Sequence, residues 1–189
     1  MAISRSDVTA VILCGGKSSR MGKDKAYLDY KGKSFLSHAC ESLSFCKEIL
    51  LSSGDKDYHA ERVTSISDIY KDKGPLSGIY SAMKNSTTDY IFVLSVDLPL
   101  FTSSFGIKLL NEMTSSLDAL VPITSDGRIH PLCAIYHCSV QDKALRLLEA
   151  DNLKVINLLK EINTKYLDVG NCSELKNINT MDDYKRLVL

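Results

Sequence analysis

The stretch Val11–Leu36 reads VILCGGKSSRMGKDKAYLDYKGKSFL. An apolar run meets a glycine pair, Gly15-Gly16, and six Lys or Arg side chains then fall within seventeen positions, Lys17 to Lys33. The apolar half reaches back to Val8. Val8–Cys14 is the kind of nearly unbroken apolar segment that lies buried on both faces of a parallel sheet. Glycines directly after such a strand let the backbone pass close to a ligand and aim its N–H groups at an anion. The stretch therefore predicts a strand, a ligand-binding bend and an α/β fold around them.

The flanking sequence alternates in the same way. Ser34–Phe45 predicts a helix with Ser34 as its N-cap and Phe35, Leu36, Ala39 and Leu43 on one face. Glu48–Ser53 predicts a second strand and Arg62–Ile66 a weaker third. Gly74-Pro75 marks a turn before a helix over Ser77–Lys84. Tyr90–Val96 is the strongest strand signal, and Asp97 follows at its carboxyl end. Helices are expected at Ser103–Thr114, Val140–Ala150, Val155–Lys160 and from Met181. Strands are expected at Asp118–Ile123 and Tyr166–Val169. Pro131–His137 reads as a strand along the sheet edge or back across it. This is a three-layer sandwich on a mostly parallel sheet, a Rossmann-like α/β architecture. With no repeat, linker or low-complexity tract, residues 1–189 are expected to form one domain.

The chain carries 23 basic and 23 acidic side chains, a net charge of zero. Nucleic-acid and membrane-surface binders ordinarily show a global positive excess, so neither partner is expected, and the local cations point at something small. The six cysteines form no CxxC and several sit in apolar runs, which predicts reduced, structural thiols. His130, Cys133, His137 and Cys138 alternate across an extended segment and fit a tetrahedral zinc cage poorly. The amino terminus lacks a secretory pattern and no apolar run is long enough to span a bilayer, which predicts a cytoplasmic protein.

Familiar phosphate loops fail on spacing. A Walker A loop places Gly five positions before Gly-Lys-Ser/Thr. Lys17 holds that position for Gly22-Lys23, and Tyr27 holds it for Gly32-Lys33. GxGxxG is absent from Gly15–Arg20 as well. What remains is a glycine bend followed by Lys17, Arg20, Lys23 and Lys25. An Arg fork and a Lys point charge suit a triphosphate. In open α/β sheets ligands bind beyond the carboxyl ends of the strands, where both this bend and Asp97 lie.

LCGGKSSRMGKDK (Leu13–Lys25) resembles the LAGGxSxRMGxDK signature of the molybdenum cofactor guanylyltransferases, the MobA type. GPLSG (Gly74–Gly78), VDLPL (Val96–Leu100), HPLCAIY (His130–Tyr136) and NINTMDDY (Asn177–Tyr184) are similar to further blocks of that family, in the same order. The resemblance implies a nucleotidyltransferase of the nucleotide-diphospho-sugar transferase fold, with GTP and molybdopterin or the molybdenum cofactor as substrates and Mg²⁺ as cofactor. It also implies transient contact with proteins that deliver or accept the pterin.

On the same ground, Leu13, Cys14 and Gly15 would lay their backbone against guanine and ribose, and Gly16 would approach the phosphates. Arg20 and Lys25 would hold the triphosphate. Asp97 would ligate Mg²⁺, and Asp68 would bind the nucleotide. Leu76 and Gly78 would pack on the base. His130 and Asn179 would serve the acceptor side. Cys14 stands where the family has Ala, and Ser53 or Gly54 where it often has Asn. Two rival readings stay open. One is cytidylyl or sugar-phosphate nucleotidyl transfer, against which the short chain and the late NINT block argue. The other is a nucleotide-binding adaptor domain without catalysis, against which Arg20, Lys25 and Asp97 argue.

Overall fold

The computed structural model describes residues 2–14, 24–54, 58 and 63–189. Gly15, expected at guanine and ribose, Gly16 and Arg20, expected at the phosphates, and the neighbouring Lys17 and Lys23 lie outside the described residues.

The opening strand is β1 (Val8–Leu13), buried along its whole length. A short hairpin follows, β2 (Asp29–Tyr30) and β3 (Lys33–Ser34), closed by Lys31 and Gly32 at φ 52° and 80°. Two positive φ values in a two-residue loop match the right-handed twist of a hairpin, which is why Gly stands second. Next come α1 (Phe35–Ser42), β4 (Glu48–Ser52), β5 (Val63–Ile66), α2 (Pro75–Asn85) and β6 (Tyr90–Ser95). The chain continues through α3 (Ser103–Glu112), β7 (Ala119–Ile123), β8 (Cys133–His137), α4 (Gln141–Glu149), α5 (Val155–Lys160), β9 (Thr164–Asp168) and α6 (Met181–Val188). Ser34 caps α1 as expected, its hydroxyl accepting from the Ser37 N–H at 3.1 Å.

Seven strands form one sheet in the order β5-β4-β1-β6-β8-β7-β9. All neighbours are parallel except β8, which runs antiparallel to both β6 and β7. This resolves the open reading of Pro131–His137: the strand is inserted within the sheet. Its sense follows from the connection, because residues 124–132 hold no helix and are too few for a parallel crossover.

Period-2 alternation divides the core in two. Val8, Ala10 and Ile12 of β1 and Tyr90, Phe92 and Leu94 of β6 face α1, α3 and α6. Val11 and Leu13, with Ile91 and Val93, face α2, α4 and α5. Burying each large apolar side chain contributes about 1.5–3 kcal/mol, so both faces hold the sheet flat against its helices. No disulfide joins any of the six cysteines. Burial pushes the Cys46 thiol up to about 12, which leaves it a packing group rather than a nucleophile. Among the described residues, no helix is long and apolar enough to cross a membrane.

Candidate active site

The carboxyl ends of β4, β1 and β6 are laced together one residue beyond the strands. The Cys14 N–H donates to the Ser52 carbonyl at 2.9 Å, and the Val96 N–H donates to the Leu13 carbonyl at 3.1 Å. This lacing fixes where the next residues leave the sheet. From β1 the described chain resumes at Asp24, whose carboxylate caps a turn of 3₁₀-helix, Lys25–Tyr27, by accepting from the Ala26 N–H at 3.1 Å. The turn aims Lys25 back over the sheet edge. From β6 the chain reaches Asp97.

These two residues meet. Lys25 Nζ lies 3.9 Å from Asp97 Oδ2 and donates to Asn179 Oδ1 at 2.9 Å. Asp97 is further held by a third segment. Asn177 Nδ2 donates to its Oδ2 at 3.0 Å, and the Ile178 N–H donates to its main-chain carbonyl at 2.9 Å. Residues 177–179 form no helix or strand; Asn177 and Asn179 both reach the site by their side chains, while Ile178, fully buried, anchors the segment in the core. Thr180 then starts α6 with a capping box: its hydroxyl accepts from the Asp183 N–H at 3.1 Å and its N–H donates to Asp183 Oδ2 at 2.9 Å. Hydrogen bonds from Thr180 and Asn179 hold the Asp183 carboxyl below its ordinary range.

Asp97 Oδ1 is buried and has no hydrogen-bond partner among the described residues. An orphaned carboxylate oxygen is costly unless something positive completes it. One carboxylate with a free oxygen, its other oxygen already oriented by Asn177, fits a hard divalent cation that takes its remaining ligands from phosphates and water. No group of three or more His, Cys, Asp or Glu that could hold a metal ion occurs among the described residues.

Asp68 follows β5, and its Oδ1 accepts from the Ser52 hydroxyl at 2.7 Å. Leu76 and Gly78, expected at the base, lie in the first turn of α2. Leu76 is wholly buried in the core between the sheet and α2, so its side chain presents no surface to a base. Gly78 is buried too: a Cβ there would stand 2.7 Å from Ser52 Oγ and 2.9 Å from Leu13 Cδ2. The glycine lets α2 approach the strand ends and leaves room for the Ser52–Asp68 bond. Ser53, one of the two residues standing where the family often has Asn, is buried.

His130 lies at the same sheet edge, because antiparallel β8 begins where β6 ends; the Ser95 N–H donates to the Leu132 carbonyl at 2.8 Å. Its Nε2 is 3.3 Å from Thr124 Oγ1. Burial, reinforced by Arg128 and opposed by Asp126, lowers its proton affinity below the usual histidine range. It is largely enclosed and tied to its own loop.

The geometry thus brings Lys25, Asp97 and Asn179 together and adds Asn177, whose role on Asp97 the sequence reading missed. The available signal was the Asn-x-Asn alternation around an apolar anchor.

Comparison with known proteins shows the family. Residues 10–163 match the model of the MobA-like NTP transferase domain. The protein named "Probable molybdenum cofactor guanylyltransferase" in Flavobacterium johnsoniae is 33% identical over 183 residues, covering 95% of this chain and 96% of the relative. The Bacillus subtilis protein of the same name is 34% identical over 187 residues, covering 94% and 92%. Among solved structures, an Aquifex aeolicus protein superimposes with TM-score 0.76 at 26% identity, covering 94% of this chain and 96% of its own. Molybdopterin-guanine dinucleotide biosynthesis protein A of Archaeoglobus fulgidus also gives 0.76, at 24% identity and 95% and 96% coverage, and supports the fold. The chain belongs to the MobA-like NTP transferase family.

Proposed function

We propose that the chain transfers GMP from GTP to the terminal phosphate of molybdopterin, with or without molybdenum bound, and releases pyrophosphate. The observation that carries the reading is the convergence of Lys25, Asp97 and Asn179 from three distant segments beyond the carboxyl ends of β1 and β6, with one buried Asp97 oxygen left unsatisfied among the described residues. An oxygen of the acceptor phosphate attacks the α-phosphorus of GTP in line. The bond from that phosphorus to the bridging oxygen of the β-phosphate breaks, and the electron pair leaves with pyrophosphate. Because the acceptor is already an anion, the protein needs no general base.

Its work is positioning and charge. Lys25 neutralises charge gathering on the departing phosphates, with Arg20 as its expected partner. Asp97 would hold Mg²⁺, which when bound draws charge from the phosphate oxygens. Asn177 keeps the Asp97 carboxylate in one orientation, and Asn179 keeps Lys25 extended toward it. Asp68, braced by Ser52, is assigned to the nucleoside end, and the His130 loop to the pterin end. The reading includes a cytoplasmic location and passing contact with proteins that supply or receive the pterin.

The test is incubation of the purified chain with labelled GTP, Mg²⁺ and molybdopterin. A guanine dinucleotide product with equimolar pyrophosphate is expected. Turnover with CTP and none with GTP would reassign the chain to cytidylyl transfer. Absence of metal-dependent turnover with any nucleotide would leave a binding module and overturn the proposal.

A further inference from the structure

Lys25 is steadied from a loop that the mechanism above does not use. Tyr58 stands in the connection between β4 and β5, yet only 3% of it is exposed, and it joins the same core cluster as Cys14, Ala26 and Leu28. Its hydroxyl donates to Asp24 Oδ2 at 2.7 Å. Its ring meets Tyr27 with centroids 5.5 Å apart at 43°. The other oxygen of Asp24 caps the Lys25–Tyr27 turn through the Ala26 N–H. A chain of contacts therefore runs from a buried phenol, through one carboxylate, to the turn whose lysine reaches Asn179 and Asp97.

A phenol used only as filler would not need its oxygen. Here the oxygen meets a carboxylate, and hydrogen bonds to ionised acceptors are about twice as strong as neutral ones. Burial, with the neighbouring Asp24 carboxylate, raises the phenol's proton affinity, so the hydroxyl stays a donor. The bond, like the Tyr27–Tyr58 ring contact, ties a described residue after β1 to one after β4.

Resting on the guanylyl-transfer reading, we propose that Tyr58 is a positioning residue for that reaction: its hydroxyl fixes Asp24, and through Asp24 the turn that presents Lys25 to the phosphates. Tyr58→Phe keeps the ring, the Tyr27 contact and the core volume, and removes only the donor.

Three measurements test this on the full chain. In the first, Tyr58→Phe lowers kcat/KM for GTP by about tenfold, the lower end expected for one lost charge-assisted bond. In the second, the same change made in a Lys25→Ala background costs nothing further, because the residue it serves is gone. In the third, reductive methylation followed by peptide mass spectrometry finds Lys25 several-fold more reactive in Tyr58→Phe, while Lys165, ion-paired to Glu112 at a distant surface, serves as an unchanged reference. The third arm reads geometry without turnover, so it judges Tyr58 even if the guanylyl-transfer reading fails. An undiminished penalty in the Lys25→Ala background, or unchanged Lys25 reactivity, overturns the proposal.

Discussion

Replacing Asn177 by Asp exchanges one donor for a negative charge and leaves the volume nearly unchanged. Asn177 Nδ2 lies 3.0 Å from Asp97 Oδ2, and the Asp97 side chain is only 15% exposed. Two carboxylates about 4 Å apart at an effective dielectric of about 20 repel by about 4 kcal/mol. The pair can escape by taking up a proton, which costs an ordinary aspartate carboxyl about 5.6 kcal/mol at pH 8 and about 1.5 kcal/mol at pH 5. At pH 8 the pair therefore stays doubly charged and bears up to about 4 kcal/mol, less what Lys25 offsets. At pH 5 protonation caps the penalty near about 1.5 kcal/mol. The sign is that of a carboxyl made harder to ionise by folding: full stability at low pH, lost as pH rises through the range above the ordinary carboxylate value.

With about 2–4 °C per kcal/mol for a chain of this size, Asn177→Asp should lower Tm by about 8–16 °C at pH 8 and about 3–6 °C at pH 5 in EDTA. Mg²⁺ should recover more of the loss in the variant than in the parent chain, since two carboxylates grip a divalent cation more firmly. Circular-dichroism melts at both pH values, with EDTA and with millimolar Mg²⁺, supply the four comparisons. Equal losses at pH 5 and pH 8 would mean that residue 177 does not face Asp97, and the three-segment site would fall with it.

Asp97→Asn should reduce metal-dependent turnover by at least about 10²-fold, the scale of losing one charge partner at the reacting phosphates, with Tm within a few degrees of the parent; retained activity refutes the assignment. Gly78→Ala drives a methyl group to 2.7 Å from Ser52 Oγ and 2.9 Å from Leu13 Cδ2, and should destabilise by about 1–3 kcal/mol. An unchanged melting curve would mean that α2 does not press on the strand ends. Folding lowers the proton affinity of His130, so the unfolded chain takes up its proton first on acidification. Stability should therefore fall between pH 7 and pH 5 more steeply in the parent chain than in His130→Gln; parallel curves would refute this.

Most of the architecture was legible because Val8–Cys14 and Tyr90–Val96 cannot be amphipathic: a strand apolar on both sides demands helices on both sides. The direction of β8 was less visible, since CAIYH reads the same whichever way it pairs. The distance between β7 and β8 held the answer, and it requires counting loop residues rather than weighing apolar ones. Asp97 could be singled out because it follows a buried strand at the carboxyl edge, where ligands bind in open α/β sheets. For Leu76 and Gly78 the structure adds a packing role that the motif alone did not show. They sit in a motif beside the crevice, but helical periodicity turns Leu76 into the core and makes Gly78 a contact surface for Ser52. Asn177 and Tyr58 were hidden because their meaning lies in partners 80 and 34 residues away, a separation that no local pattern encodes.

The reversed strand has a lasting effect on how such a molecule can change. Since β8 runs against its neighbours, the segment that reaches the crevice is the one leading into it, residues 124–132, and it touches the β6 side through the Ser95–Leu132 bond. Lys25 and Ser52–Asp68 lie on the far side of β6, and Asp97 follows β6 itself. On the proposed reading, insertions or swaps between Ile123 and Cys133 should alter the choice of acceptor while the Lys25–Asp97 contact stays in place. One scaffold can thereby be handed new recipients over evolutionary time, or by a protein engineer, without relearning its donor.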